Sequence, residues 1–360
     1  PMLLQAPGHD AIATTSPLPG HLHATLRPSG SRKSIRIEAE ERADHNRSSE
    51  TDAIRLRLLP GDPLLGIGEP WLRRANEEPP EQVRAALLEW SPLLREGARA
   101  MEARGQHAFT EWDGNIGPGM LTGDTSVYPD KALRCFDRCP YAFFLEYLLD
   151  AREPAPWKDP QGPATTDTDT RLSESERARL QESLQTALEE GAFPHAVQEQ
   201  CGSCHFRNIC LGTATADVHE IAALRDAMRI LTDPENPLYV VAFLRGPLCG
   251  ADDRALLAYR RAGGLFAFNA RAFDGTDARI ADGLQYIKDT VRLVRSNPPG
   301  MVVASMIDRL ALHAAIACGP RGWEGAAMLQ DLLEHVLTLS VAGLSIPDIV
   351  EGLEQIETHS

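Results

Sequence analysis

The sequence predicts a mainly α fold with an irregular N-terminal segment, a small cysteine-rich middle and a helical C-terminal domain. Three observations predict it. From Val218 onward apolar residues recur at helical spacing almost without interruption. Asp233-Pro234, Asn297-Pro298-Pro299 and Gly319-Pro320 punctuate that stretch at helix-length intervals. Residues 1 to about 80, by contrast, are rich in Pro, Gly, Ser and Thr and carry only short apolar stretches.

The elements follow in order. Before residue 80, Ile35-Arg36-Ile37 and Ile54-Arg55-Leu56 suggest weak β structure in an irregular, partly disordered segment. Glu81 to Glu102 predicts one helix, with Val83, Leu87, Leu88, Trp90 and Leu94 at helical spacing. A loop follows that contains Trp112-Asp113-Gly114 and Gly117-Pro118-Gly119. Lys131 to Leu149 reads as a buried helix that starts or kinks at Pro140. Ala151 to Thr170 is a Pro/Asp/Thr linker. Ser173 to Glu190 is an amphipathic helix ended by Gly191, and Phe193 to Gly212 is compact and cysteine-rich. Helices are then expected near 218–231, 237–245, 252–262, 276–296, 301–317, 323–342 and 346–356. This gives three regions: 1–110, weakly structured with one helix; 111–215, the cysteine region; and 216–360, a helical domain. No fixed-period repeat is evident.

Length and composition set the bounds. The chain has 360 residues, 43% hydrophobic and 24% charged, ordinary for a globular protein of two or three domains. No apolar run approaches the ~20 residues of a membrane-spanning helix. The N-terminus lacks a basic region followed by an apolar stretch, so no secretion signal is read and a cytoplasmic location is expected. The chain begins with Pro rather than Met, which suggests a fragment. The formal net charge of -15 argues against a protein held to nucleic acid by bulk charge.

Lysine is scarce, so the motifs that need it can be checked one by one. The only lysines are Lys33, Lys131, Lys158 and Lys288. None follows a glycine, so the Gly-Lys-Ser/Thr of a phosphate-binding loop is absent. The residues two before each are Ser31, Pro129, Pro156 and Tyr286, so no D/E-x-K nuclease motif is present. No G-x-S-x-G, H-E-x-x-H or G-x-G-x-x-G occurs either.

The cysteines are the chemical signal. Seven in a cytosolic-looking chain read as metal ligands or buried thiols rather than disulfides. Cys201, Cys204 and Cys210 form C-x2-C-x5-C, and a C-x2-C turn presents two sulfurs to one centre. A fourth ligand is required, and Cys135 and Cys139 are the candidates, with His205 a possible substitute. Spacing alone favours zinc, and unliganded thiols are the third account. Cys249 and Cys318 sit in apolar helical settings and read as core residues.

Neighbouring residues add a resemblance. Arg134-Cys135-Phe136-Asp137-Arg138-Cys139-Pro140-Tyr141-Ala142-Phe143-Phe144, after the Asp113-Gly114 turn, resembles the opening helix of AddB-type nuclease domains of the PD-(D/E)xK family. Gly191-Ala192-Phe193-Pro194, followed by Cys201 to Cys210 with Phe206-Arg207, resembles the segment that closes those domains. The resemblance implies a 4Fe–4S cluster on Cys139, Cys201, Cys204 and Cys210, acting as a clasp, and tips the choice from zinc to iron. It also implies a cysteine-clasped remnant of an α/β nuclease domain, because only Pro140 to Gln200 separates the first two ligands and the nuclease core has no counterpart. His195 and Asp150 lie in that gap and read as surface residues.

A second resemblance covers about Val218 to Leu353. Asp233-Pro234, Leu244-Arg245-Gly246-Pro247-Leu248-Cys249-Gly250, Asp252-Asp253 and Arg261-Ala262-Gly263-Gly264 resemble the helical 2B subdomain of UvrD/AddA-type helicases. Together the two imply a DNA repair or recombination protein of helicase–nuclease ancestry, non-catalytic as this chain. A helicase or nuclease partner subunit is implied, and weak DNA contact through Arg254, Arg260 and Arg261. The alternatives are a zinc-stabilised interaction module and an active metal-dependent exonuclease with unrecognised carboxylates.

Overall fold

Pro, Gly and side-chain caps cut the chain into helices in the computed structural model. It describes residues 66–105, 109–121, 123–152, 171–196, 201, 204, 206–210 and 219–357, with the backbone of four short strands nearer the N-terminus. There β1 (Asp10–Thr15) pairs antiparallel with β2 (Leu22–Arg27), and β3 (Ile37–Glu40) with β4 (Arg55–Leu58). The remaining expectations before residue 66 lie outside the described residues, as does the expected linker from residue 153 to Thr170.

The described chain is mainly helical, as expected. Helices α1 (Gly68–Glu77), α2 (Pro80–Trp90) and α3 (Pro92–Gly105) come first. One helix was expected over Glu81 to Glu102, and two are found, with Ser91 extended between them. Pro92 lacks an N–H and its ring restricts the residue before it, so the helix ends and restarts. Pro140 acts likewise: α4 (Asp130–Arg138) stops, Cys139 is extended and caps α5 (Pro140–Phe143), and a π turn spans Phe144–Leu148. Helix α6 (Glu174–Glu190) begins with a reciprocal capping box between Ser173 and Glu176 and ends at left-handed Gly191.

After α7 (Arg207–Cys210) the expected helices appear as α8 (His219–Thr232), α9 (Pro237–Arg245), α10 (Asp253–Arg261) and α11 (Ala278–Val294). The stretch expected as one helix over 301–317 is two, α12 (Pro299–Arg309) and α13 (Leu312–Ala317), because Ala311 is left-handed with φ 48°. Helices α14 (Gly322–Val341) and α15 (Ile346–Glu357) complete the chain's described part. Among the described residues no helix is long and apolar enough to cross a membrane.

Two compact units emerge, each from separated segments. The first comprises Pro1–Pro92, Glu220–Thr232 and Asp289–Ser360; the second comprises Leu93–His219 and Asp233–Lys288. The expected boundaries after residues 110 and 215 do not coincide with them. In the first unit Ala75, Val83 and Leu87 pack with Ala311, Ala314 and Cys318, flanked by Trp71 and Trp323. Asp308 there accepts hydrogen bonds from the backbone N–H groups of Gly66, Ile67 and Gly68, the last at 2.8 Å. It thereby caps the start of α1 from 240 residues away in sequence.

Candidate metal centre

The second unit holds both cysteine segments. Its frame is a short backbone pairing between the two loops flagged in the sequence. Ile116 N–H donates to Gly191 O at 2.8 Å, and Phe193 N–H donates to Gly114 O at 3.0 Å. Gly114 has φ 90°, and a Cβ there would sit 2.2 Å from Phe193 O, so only glycine fits this approach. The Asp113-Gly114 turn and the Gly191-Ala192-Phe193-Pro194 segment therefore lie side by side. Phe193 also packs tilted against Phe144, with ring centroids 5.4 Å apart.

The cysteines sit at the ends of these pieces. Cys139 Sγ accepts from Ala142 N–H at 3.4 Å and so caps α5. At the other arm Cys204 N–H donates to Cys201 O at 3.3 Å, closing the turn of the C-x2-C pair. Cys210 ends the single turn of α7, where its N–H donates to Phe206 O at 2.8 Å, and buried Phe206 and Ile209 anchor that turn. Two of these thiols are raised. Burial pushes the Cys204 thiol up, the Phe206 backbone N–H opposes, and the Cys139 and Cys201 thiols push it further. Burial also pushes Cys210 up, with Arg245 opposing and Cys139 and Cys204 adding to the rise. Among the described residues no group of three or more His, Cys, Asp or Glu side chains is arranged to hold a metal ion as it stands.

Of the other candidates, Cys135 adjoins the set, its backbone carbonyl accepting from Cys139 N–H at 2.9 Å. Cys135 is buried, donates weakly to Glu146 Oε2 at 3.8 Å, and is pushed up to about 12, chiefly by burial. Cys249 and Cys318 are buried, as expected of core residues. His205 lies outside the described residues. His195 corrects the surface reading given to it. Its ring is half-buried and lies tilted against Tyr141 with centroids 4.0 Å apart, and its Nε2 lies 3.9 Å from Asp113 Oδ1. Burial, then Arg245, lowers it to about 4, against the pull of Asp113. Asp150 is exposed enough to pair with both Arg152 and Arg260.

The arginines expected to touch DNA are not equivalent. Arg254 is exposed on α10. Arg260 is half-buried, pairs with Asp150 at 2.9 Å and donates to Gly264 O at 3.1 Å. Arg261 is exposed and donates to Met120 O.

Beside the cysteines lies a buried charge network that the sequence reading did not single out. Arg245 and Asp253 are 2% and 0% exposed and pair at 2.7 Å. Asp253 also accepts from Gly114 N–H at 2.8 Å and from the Tyr141 hydroxyl at 3.1 Å. Arg245 donates further to Ile209 O at 2.8 Å and to Trp112 O. Burial pushes the Asp253 carboxyl up, against the pull of the Arg245 and Arg104 charges and of the hydrogen bonds from Arg245 and the Tyr141 hydroxyl. Arg104 lies alongside, donating to Arg245 O at 3.0 Å, and is lowered to about 10 by burial and by Arg245. A signal existed: Arg245 is the only charged residue in Pro237 to Gly250, and an arginine inside an apolar helix implies a buried partner.

Comparison of the chain with protein-family models, with curated proteins and with solved structures found no match.

Proposed function

We propose that this chain is a DNA repair or recombination protein of helicase–nuclease ancestry in which Cys139, Cys201, Cys204 and Cys210 hold a 4Fe–4S centre. The chain is a scaffold or subunit rather than the cutting enzyme. One observation carries the reading: the Asp113-Gly114 turn and the Gly191 to Pro194 segment, which belong to the motif the cysteines share, are paired through Ile116 N–H to Gly191 O and Phe193 N–H to Gly114 O. When bound, the centre supplies a cross-link between the Cys139 arm and the Cys201 to Cys210 arm. Closing so long a loop stabilises the folded chain. The thiols raised by burial give up their protons on loading, so metal uptake falls at low pH. Residues on α10 then contact DNA weakly, with Arg254 exposed and Arg260 engaged by Asp150.

The test is metal analysis of anaerobically purified protein. A brown protein absorbing near ~400 nm, with iron and acid-labile sulfide, is expected. Cys204→Ser is expected to lower metal content and melting temperature together. A colourless protein with one zinc points to the interaction module, and a metal-free wild type overturns the centre altogether. DNA binding is expected at about 50 mM salt and to weaken as salt rises. Binding that ignores salt, or none at that concentration, removes the DNA role. Mg²⁺-dependent cleavage of linear DNA, stopped by EDTA, would restore the exonuclease reading.

A further inference from the structure

The segment Gly191 to Ala196 is held to the second unit by two backbone hydrogen bonds and two rings. Ile116 N–H donates to Gly191 O and Phe193 N–H donates to Gly114 O. Phe193 is buried, and the His195 ring lies against Tyr141 with centroids 4.0 Å apart. His195 Nε2 is buried too, yet it has no hydrogen-bond partner among the described residues. The groups that face the ring are Arg104 on α3, Asp113 on the loop before α4, Tyr141 on α5 and Arg245 on α9. Arg245 is paired with Asp253 on α10, and the Tyr141 hydroxyl donates to that same carboxylate. Asp113 is then the carboxylate left to the ring, and it is shared. Its Oδ1 lies 3.9 Å from His195 Nε2 and 3.9 Å from Arg104 Nε, while its Oδ2 accepts from Thr110 Oγ1 at 2.9 Å. Arg104 Nη2 is buried without a partner as well. A proton on His195 would therefore bring a second cation to a carboxylate that a guanidinium already faces, out of reach of water. Water can solvate that proton only if the segment lifts away.

We propose that His195 is a pH-sensitive latch, whose protonation releases Gly191 to Ala196 from the loop Gly114 to Ile116 while the helices of the unit stay folded. Helix α6 ends at Gly191, so the release unwinds no helix. No cysteine enters the argument, so the latch stands or falls apart from the metal-centre reading. The closed ring is lowered to about 4, by burial first and Arg245 next, whereas an exposed histidine titrates near ~6.5. The open form thus binds the proton more readily, and opening grows as pH falls from ~6.5 towards 4. Between pH 7 and pH 5 the open fraction is expected to rise roughly tenfold.

The experiment is hydrogen exchange on the full chain at pH 7 and pH 5, each amide's rate being divided by its intrinsic rate at that pH. Ile116 and Phe193 N–H report the pairing; Leu133 and Leu256 N–H, which donate to Pro129 O and Asp252 O, report the helices. Protection of Ile116 and Phe193 is expected to fall roughly tenfold at pH 5, while Leu133 and Leu256 keep theirs. His195→Phe keeps a ring against Tyr141 and cannot take the proton, so its protection is expected to be equal at both pH values. Unchanged protection of Ile116 and Phe193 in the wild type overturns the latch. An equal fall at Leu133 and Leu256 does so too, because the opening is then general. A fall in His195→Phe as large as in the wild type also overturns it, because another group is then responsible. Far-UV circular dichroism reports folding, and if His195→Phe does not fold, His195→Gln takes its place with the same expectation.

Discussion

His313 lies fully buried on α13, with Nε2 3.1 Å from Gln330 Oε1, and Gln330 in turn donates to Glu334. Burial lowers its pKa to about 4, and the Gln330 hydrogen bond opposes only part of the fall. In the unfolded chain the same ring titrates near ~6.5. Between these values the unfolded state binds the proton and the folded state does not, so stability falls as pH drops through that window. The slope approaches about 1.4 kcal/mol per pH unit at its steepest for one group. His195, also lowered to about 4, adds a contribution of the same sign. Urea titrations at successive pH values are expected to show a flatter decline for His313→Gln than for wild type. An unchanged slope sinks the assignment. Little of this was legible in sequence. His195 read as a surface residue because no neighbour in the chain explains its burial, whereas Tyr141, which covers it, is far away in sequence.

Helix boundaries follow local chemistry, and there the sequence was informative. Pro237 opens α9 where expected, Pro140 restarts the chain after Cys139, and Ser173 with Glu176 caps α6. The break at Ala311 was not legible, because an alanine in left-handed conformation is imposed by packing rather than by preference. Helix α1 was missed for a related reason: its cap, Asp308, comes from α12. The loops around the cysteines offer a sharper contrast. Gly117 has φ 77° and open space where a Cβ would stand. Gly191 has φ 65°, and a Cβ there would meet Gly117 O at 1.9 Å. Gly117→Ala is therefore expected to cost about 1–2 kcal/mol, the left-handed strain alone. Gly191→Ala adds a backbone collision to the same strain and is expected to cost about 3 kcal/mol or more. Thermal melts of the two variants check the order. Equal shifts would mean that the paired loops are not held as described.

At the scale of the whole molecule, order along the chain misled. Two resemblances that follow one another in sequence suggested two successive modules, parted near residue 215. Yet Asp233–Lys288 belongs with Leu93–His219, while Asp289–Ser360 belongs with the N-terminal segment. The reason is Arg245 and Asp253. They satisfy Trp112 O, Gly114 N–H, the Tyr141 hydroxyl and Ile209 O, groups on the loop before α4, on α5 and on α7. A chain ending at residue 215 leaves these groups without their partners, and an unpaired buried polar group costs about 1–3 kcal/mol each. Such losses together reach the size of a domain's net stability. A chain ending at residue 215 is therefore expected to show no cooperative melt. A chain ending at residue 288 keeps every segment of the second unit, and is expected to keep the melt. Should the shorter chain melt cooperatively, the cysteine region would be a self-sufficient module, and the buried pair would be incidental to it.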